Sequence, residues 1–247
     1  MAHVTIRDVA AVAGVSPATV SRVLNTNDRV RPELRDRVHD AVARLVYRPN
    51  SQARSLRTRA TTVLGLIISD IQNPFFTAMV RGVEDAASAV GYSVVLANSD
   101  EDLSKEQRYL EIAAAEQMAG VVLSPASAAD TRIDLLVERN IPVVTIDRRI
   151  RSSTVDSITV NNHRAAHEAV SHLLAAGCRR IGVVAGPPDI TTAAGRLAGY
   201  RAALKEAGVP LDPSLVVRGN FRVDGGREAT RKLLAAGPPP DGLFVTN

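Results

Sequence analysis

Apolar side chains recur at helical spacing in two short segments near the start of the chain, with a glycine between them. The first segment presents one apolar face, which consists of Ile6, Val9, Ala10 and Ala13. Gly14 follows and favours a sharp turn, because glycine adopts positive φ values without steric cost. Ser16 then predicts an N-cap and Pro17 the first position of a second helix, whose apolar stripe is Val20, Val23 and Leu24. The pattern predicts a helix-turn-helix.

The face of the second helix opposite its apolar stripe carries small or hydrogen-bonding side chains. Such a face fits a DNA major groove, where side chains reach the edges of the bases. Arg22 is the best candidate for a bidentate contact to guanine, whereas Pro17 and Ala18 are too short and apolar for hydrogen-bond readout and suit thymine methyls. The predicted DNA contacts of this region are Thr5, Ser16, Pro17, Ala18, Thr19, Ser21, Arg22 and Asn25.

A third amphipathic segment over residues 31–45 completes the predicted bundle, and a polar, basic segment follows it. Within that segment Leu56 is a large apolar side chain close to Arg54 and Arg57. A leucine among arginines suits a minor-groove wedge, in which the leucine enters a base step and the cations hold phosphates. A solvent-exposed leucine in a linker is the alternative, and spacing does not distinguish the two.

From Val63 onwards, apolar runs alternate with amphipathic helical segments. The predicted strands are VLGLII, YSVVLA, GVVLS, PVVTID, SITV, RIGVVAG, LVVRG and GLFVTN. Continuous apolar strands with helical crossovers predict parallel sheets covered on both faces. The step from PVVTIDRR to SITVNN lacks a crossover helix, so we expect it to separate two sheets. Ligand-binding side chains in such folds lie in loops after strands, here at residues 69–76, 124–126, 147–149, 186–196 and 219–222.

Charge is distributed unevenly along the chain. The head, residues 1–60, holds 11 of the 30 Lys and Arg residues but only 5 of the 26 Asp and Glu residues. A basic head on a nearly neutral body is typical of binding to a polyanion such as double-stranded DNA, and an ordinary basic surface is the alternative. The single cysteine, Cys178, excludes an internal disulfide, and no apolar run is long enough to cross a membrane. We expect a cytoplasmic protein without a signal peptide.

The sequence contains no motif that indicates an enzyme, a metal site or a cofactor. It has no GxGxxG after a strand and no GxxxxGK[ST], the glycine-rich loops that hold nucleotides. His163 and His167 lie four residues apart, but Ser171 occupies the place where HExxH needs its second histidine. A solute-binding protein of a transport system is a better alternative, because the body alone would suit it, but the basic head argues against it.

Four motifs together resemble the LacI/GalR family of transcription regulators: VSPATVSRVLN, IISDIQNPFF, IPVVTIDR and AAGRLAGYRAAL. The resemblance runs along essentially the whole chain. It implies an all-α helix-turn-helix head and an α/β body similar to periplasmic binding proteins, with two parallel-sheet lobes. It also implies a homodimer on a near-palindromic operator, acting as a repressor, with Leu56 as the minor-groove wedge. The implied domains are a DNA-binding domain at 1–48, a hinge at 49–60 and an effector-binding domain at 61–247, with lobes at about 61–160 and 161–247.

The resemblance further implies a small effector held between the lobes, for which a sugar is the first expectation and a purine or nucleoside the alternative. Asp147 and Arg196 stand where the family places a carboxylate and an arginine against the effector, and both suit a polyhydroxylated ring. Phe221 offers an apolar face just beyond a strand. Ordinary interpretations stay open, since Asp147 and Arg196 would also suit an ion pair, and Phe75 or Phe76 the lobe core. The full set of effector candidates is Ser69, Asp70, Phe75, Phe76, Ser124, Asp147, Thr192, Arg196, Phe221 and Asn247.

The length of the chain departs from the family pattern. Members of the family usually continue for roughly a further ninety residues, which supply the last elements of the second lobe. On this basis we expect the sequence to be C-terminally truncated and the second lobe to be incomplete.

Overall fold

The computed structural model describes residues 4–24, 30–47, 61–151 and 155–247, and it divides into two compact units. The first unit is the head, Met1–Ala60, and the second is the body, Thr61–Asn247. The predicted hinge at 49–60 lies outside the described residues, as do four of the predicted DNA contacts: Asn25, Arg54, Leu56 and Arg57.

The head contains three described helices, α1 (Ile6–Ala13), α2 (Pro17–Leu24) and α3 (Pro32–Arg44). Their apolar faces meet in a small core of buried side chains, Val9, Ala10, Ala13, Val20, Val23, Val38 and Ala41. The predicted helix-turn-helix is therefore confirmed, and its periodicity identified the buried positions correctly. Ile6 and Leu24 pack at the edge of the core.

The turn between α1 and α2 depends on one glycine. Gly14 has a φ of 62°, in the left-handed region that disfavours side chains with a Cβ. A Cβ there would also collide with the guanidinium of Arg37, which donates to the Gly14 carbonyl at 3.3 Å. After the turn, the Ser16 hydroxyl accepts from the amide of Thr19 at 3.1 Å and caps α2, as predicted.

The body consists of strands and helices in alternation. Its strands are β1 (Val63–Ile68), β2 (Ser93–Asn98), β3 (Gly120–Leu123), β4 (Val143–Ile146), β5 (Asp156–Ile158), β6 (Ile181–Ala185), β7 (Val216–Arg218) and β8 (Gly242–Val245). Its α-helices are α4 (Pro74–Ala89), α5 (Leu103–Ala115), α6 (Asp134–Glu138), α7 (Asn162–Ala175), α8 (Thr191–Glu206) and α9 (Val223–Ala235), and a 3₁₀ turn spans Pro213–Leu215. The first lobe has a sheet of order β2-β1-β3-β4-β5, and the second a sheet of order β7-β6-β8. All these pairings are parallel, as predicted.

The predicted separation of the sheets between β4 and β5 is wrong. β5 pairs with β4 in parallel, with Val144 opposite Asp156, so both strands belong to the first lobe. A parallel crossover normally contains a helix. Here β4 has four residues and spans only about 13 Å, whereas the nine residues between the strands can reach about 30 Å when extended. A short irregular connection therefore suffices, and the second sheet begins only after α7.

Both lobes bury apolar side chains between their sheets and helices. In the first lobe Ile67, Leu110 and Leu123 belong to one cluster, and Leu66, Ile68 and Phe76 to another. The core of the second lobe includes Tyr200 from α8, which is fully buried and donates its hydroxyl to the carbonyl of Ile181 at 2.7 Å. Burial raises the pKa of Tyr200 to about 12. The phenol therefore joins α8 to β6 without a charge.

The helices α7 and α8 pack closely at Gly199, which has no room for a side chain. Gly199 faces α7, where an added Cβ would lie 2.9 Å from the Cβ of Ala166 and would collide with the carbonyl of His163. Gly199→Ala should lower the free energy of unfolding by about 1–3 kcal/mol, because two helix backbones would have to separate. Urea denaturation followed by circular dichroism measures the change.

The matched control is Gly82→Ala in the middle of α4. An added Cβ at Gly82 has nothing within 4 Å. This variant should gain up to about 1 kcal/mol, since alanine is the better helix former. A Gly199→Ala protein as stable as its Gly82→Ala counterpart would contradict the packing argument.

Candidate functional site

The exposed face of α2 is the first candidate surface. Pro17, Ala18 and Arg22 are exposed on it, and Ser21 is partly buried. The hydroxyls of Ser16 and Thr19 lie 2.9 Å apart and form a hydrogen bond with each other. Because these two hydroxyls already have a local partner, Arg22 presents the long, charged donor of this face.

Thr5 occupies the N-cap position of α1. Its amide and its hydroxyl donate to one oxygen of Asp8, at 2.8 and 2.7 Å. These hydrogen bonds lower the pKa of the Asp8 carboxyl below its ordinary value. The sequence predicts Thr5 as a DNA contact, and the structure gives its hydroxyl a capping partner.

The second candidate site is a cleft of about 340 Å³ in the body, lined by residues of both lobes. Several of its residues follow strands: Asp70 follows β1, Glu101 follows β2, Asp147 follows β4 and Phe221 follows β7. The carboxyl ends of parallel strands share one edge of a sheet, so the fold brings these loops together. Eight of the ten predicted effector residues line the cleft: Asp70, Phe75, Phe76, Asp147, Thr192, Arg196, Phe221 and Asn247.

Ser69 and Ser124 are the two effector candidates that do not line the cleft. Both are fully buried at the ends of β1 and β3, and their hydroxyls lie 3.0 Å apart. The Ser69 hydroxyl also lies 3.3 Å from the carbonyl of Ser124. The neighbouring strand ends let the two hydroxyls satisfy each other beneath the surface of the cleft, so their role as effector contacts stays a prediction.

Arg196 is the central cation of the second lobe. Its Nε donates to Asn162 Oδ1 at 2.8 Å, and its Nη1 donates to the carbonyl of Thr246. The side chain therefore joins the beginnings of α7 and α8 to the end of β8. Burial lowers the pKa of the Arg196 guanidinium, and the nearby Asp147 carboxylate opposes that shift.

Asp147 is a buried carboxylate on the wall formed by the first lobe. Its φ of 65° lies in the left-handed region and follows directly after β4. Arg148 Nε lies 3.5 Å from Asp147 Oδ2. Burial nevertheless raises the pKa of the Asp147 carboxyl above its ordinary value, and the charges of Arg148 and Arg196 only partly offset the effect. Further hydrogen-bond donors would therefore stabilise the Asp147 carboxylate.

The aromatic side chains differ in how they contribute to the cleft. Phe76 is buried in the core of the first lobe, whereas Phe75 is 44% exposed, and their rings meet edge to face at 5.3 Å. Phe221 has a φ of 63°, and its ring packs so closely on Gly186 that a Cβ at that glycine would overlap the ring. The close packing on Gly186 holds the Phe221 ring at the cleft and compensates the strain of its positive φ.

Two polar contacts join the lobes across the cleft. The Asn73 side chain donates to Asn247 Oδ1 at 3.1 Å, and Asn247 donates to the carbonyl of Phe221 at 3.0 Å. Arg222 of the second lobe lies 3.7 Å from Asp100 Oδ1 and 4.0 Å from Asp70 Oδ2 of the first. Asn247 thus connects the two lobes.

Sequence reasoning missed several cleft residues, namely Asn73, Glu101, Arg148, Asn220, Arg222 and Thr246. A signal for Glu101 was available, because it follows the predicted strand YSVVLA. The loop after that strand is nevertheless not among the predicted ligand-binding loops. Arg148 and Arg222 lie within the predicted ligand-binding loops, but a charged residue in a loop is equally typical of a solvent-exposed surface. Only the tertiary structure shows that they turn into the cleft.

Among the residues that the structure describes, none of the helices has the length and apolar composition of a membrane span. In the same ranges, no group of three or more His, Cys, Asp or Glu side chains is placed to hold a metal ion.

Two family models match the chain. Residues 5–50 match the model described as bacterial regulatory proteins, lacI family, and residues 61–247 match periplasmic binding proteins and sugar binding domain of LacI family. The matches separate at the segment that joins the head to the body.

Relatives match over nearly the whole chain. A catabolite control protein A from Priestia megaterium is 37% identical over 98% of this chain and 74% of its own length. A ribose operon repressor from Halalkalibacterium halodurans is 39% identical over 98% of this chain and 71% of its own length. A solved structure of a lac repressor dimer bound to operator and the anti-inducer ONPF is 26% identical, with a TM-score of 0.85, and covers 99% of this chain and 74% of that one. A transcriptional regulator CelR–cellobiose complex is 33% identical, with a TM-score of 0.68, over 98% and 74%.

The raised pKa of Asp147 generates a prediction about stability. A carboxyl whose pKa is higher in the folded than in the unfolded state favours folding below the unfolded value and loses that contribution as pH rises through the folded value. Asp147→Asn should therefore unfold with a higher free energy than the parent at pH 7. The gain should shrink as pH falls toward the ordinary value of 3.8.

Chemical denaturation at several pH values measures this difference. Asp85→Asn removes an exposed carboxylate from α4 and serves as the control. If Asp147→Asn were less stable than the parent at pH 7, the charge of Asp147 would be compensated after all.

Proposed function

Because this chain belongs to the LacI family of bacterial regulatory proteins, we propose that it binds a near-palindromic operator as a homodimer and that a small molecule in the cleft controls this binding. The protein is a DNA-binding transcription regulator of that family, and we propose repression as its mode. The observation that carries the proposal is the presence of a helix-turn-helix with an exposed α2 and a polar cleft between two lobes in one chain.

We assign DNA contacts to α2 and to neighbouring residues of the head. α2 enters the major groove, where Arg22 donates to guanine and Pro17 and Ala18 contact thymine methyls. Ser16, Thr19, Ser21, Thr5 and Asn25 complete the set as phosphate or groove contacts. Support comes from the exposure of Pro17, Ala18 and Arg22 and from a buried core beneath them that holds the helix rigidly.

The segment at 49–60 is proposed as the hinge of this regulator. Leu56 enters a flexible base step of the minor groove, and Arg54 and Arg57 hold the flanking phosphates. These residues lie outside the described part of the chain, so their sequence and the family carry the proposal. A head at 1–48 and a body at 61–247 then divide DNA binding from effector binding.

A polyhydroxylated molecule such as a sugar is the proposed effector. Asp147 accepts from ligand hydroxyls, Arg196 donates to them, and Phe221 and Phe75 cover the apolar face of the ring. The cleft volume of about 340 Å³ suits a ligand of that size. Among the matched proteins, one is named a ribose operon repressor and one is a complex with cellobiose.

Control of DNA binding follows from the position of the cleft between two lobes. A ligand that contacts both walls favours one arrangement of the lobes and so changes the fraction of dimers that is competent to bind DNA. Asn247 and Arg222 already join the lobes, so they are the side chains whose contacts the ligand alters.

Two alternatives fit the observations less well. A solute-binding protein of a transport system would explain the cleft but not the helix-turn-helix. For an enzyme, the family consists of transcription regulators, and we propose that this chain binds its ligand without chemistry. We also propose that it acts in the cytoplasm, where the DNA is.

Titration of the full chain against a set of operator-like palindromes tests the function. The affinity for a preferred palindrome should fall steeply as salt rises, because lysine and arginine contacts to phosphates release counterions. Gel shifts at several salt concentrations measure this dependence. Binding that is absent, or indifferent to salt, would rule out the regulator.

Arg22→Ala should weaken binding to the preferred palindrome by about 1–3 kcal/mol and relax the preference over a scrambled site. Arg35→Ala removes the same charge from the exposed surface of α3 and should weaken both sites alike, if at all. If Arg22→Ala kept the preference of the parent, Arg22 would not contact a base.

Leu56→Ala should reduce both the bending of the preferred palindrome and the affinity for it, because the base step is no longer opened. The mobility of circularly permuted fragments reports the bend. Leu56→Met keeps a large apolar side chain and should bend DNA as the parent does. Equal bending by the alanine and methionine variants would leave Leu56 as a linker residue.

A further inference from the structure

The charges that line the cleft are balanced between three guanidinium groups and three carboxylates. Arg148, Arg196 and Arg222 are the cations, and Asp70, Glu101 and Asp147 are the anions. An arginine in a binding cleft commonly recognises phosphate through two parallel hydrogen bonds. Whether this cleft does so depends on which guanidinium nitrogens are already occupied.

Arg148 has both of its terminal nitrogens occupied by Glu101. Nη1 donates to Glu101 Oε2 at 2.5 Å and Nη2 donates to Oε1 at 2.7 Å, and Nη1 also donates to the carbonyl of Pro125 at 3.2 Å. The Arg148 side chain is only 6% exposed, and that of Glu101 28%. This bidentate pair occupies the same two donors that a phosphate would use.

The other two guanidinium groups are also engaged within the protein. Arg196 donates to Asn162 and to the carbonyl of Thr246. Arg222 donates to the carbonyl of Asp100 at 3.4 Å and lies between the carboxylates of Asp100 and Asp70. Arg148 and Arg222 therefore already face carboxylates of the protein, and Arg196 has two of its nitrogens occupied by neutral acceptors.

The groups left over in the cleft suit a hydroxyl. Within the described residues, Arg148 Nε is buried and has no hydrogen-bond partner, and it lies 3.5 Å from Asp147 Oδ2. A ligand hydroxyl can donate to the Asp147 carboxylate, which lines the cleft. A phosphate oxygen can accept, but it would lie beside the negative charge of Asp147 and repel it.

We propose that Glu101 is a specificity residue, which makes the cleft select neutral polyhydroxylated ligands over phosphorylated ones by occupying both terminal nitrogens of Arg148. The inference rests on the proposed function in that the same cleft binds the effector. To that function it adds the charge of the ligand that the cleft selects, and it identifies Glu101 as the residue responsible for the selection. A phosphorylated ligand would have to displace Glu101 from a charge-assisted pair and would leave that carboxylate without its partner.

Inorganic phosphate is the probe, because it tests the anion site without an assumed sugar. Calorimetry of the full chain in phosphate, at constant ionic strength against chloride, compares the parent with Glu101→Gln. The variant frees the Arg148 nitrogens and should bind phosphate about tenfold more tightly than the parent, a difference of about 1.4 kcal/mol. Phosphate contacts of the basic head are the same in both proteins, so the difference reports the cleft.

Two further variants keep the test decisive. Glu116→Gln removes an exposed carboxylate just beyond the other end of α5 and should leave the phosphate affinity of the parent unchanged. Arg148→Gln added to Glu101→Gln should remove the gain, because the freed guanidinium is the group that binds phosphate. If Glu101→Gln does not fold, Glu101→Asp, which keeps the charge but is too short for the bidentate pair, should show part of the gain.

Either of two results would overturn the proposal. One is a folded Glu101→Gln protein that gains no phosphate affinity over Glu116→Gln. The other is a doubly substituted protein, Glu101→Gln with Arg148→Gln, that keeps the gain, which would show that the anion does not bind Arg148. Both measurements are made without DNA. A failure of operator binding would therefore count against the proposed function without changing the phosphate result.

Discussion

The cleft depends on one constraint, which is that parallel strands with crossover connections bring all their carboxyl ends to the same edge of the sheet. In each lobe this edge collects polar loops that are distant in sequence. Arg196 then fixes the edge of the second lobe, because its guanidinium donates to Asn162 and to the carbonyl of Thr246. The positions of Phe221 and Asn247 follow from that framework.

The polar groups in the cleft reduce the stability of the body. Burial raises the pKa of Asp147 and lowers that of Arg196, which means that each charged form is less favourable there than in water. The bidentate pair of Glu101 with Arg148 compensates one cation fully, and Arg148 Nε has no partner among the described residues. Such incompletely paired groups are typical of a site that gains its remaining hydrogen bonds from a ligand.

The head shows how capping affects recognition. Ser16 and Thr19 satisfy each other, and Thr5 satisfies Asp8, so the hydroxyls that start both helices of the motif have local partners. The packed core below holds α2 in place, and Arg22 extends from its exposed face. The hydroxyls of Thr5 and Ser16 therefore stabilise the starts of α1 and α2.

The sequence predicts the features that depend on residues close together in the chain. It does not predict those that depend on contacts between distant residues. The helix-turn-helix, the order of strands and helices and eight of the ten effector candidates follow from patterns a few residues long, and from motifs that resemble a known family. The pairing of β5 with β4 could not be predicted, because it depends on a strand short enough for an irregular crossover.

Local sequence by itself determined which segments form helices and strands, which faces are buried and where the turns lie, because these depend on neighbouring residues. Only the tertiary structure decided which strand-end residues share the cleft. It buried Ser69 against Ser124, and it brought Glu101 to Arg148 across 47 residues of chain. The physical reason is that a hydrogen bond between distant residues depends on how the sheet orders its strands, and no local pattern carries that order.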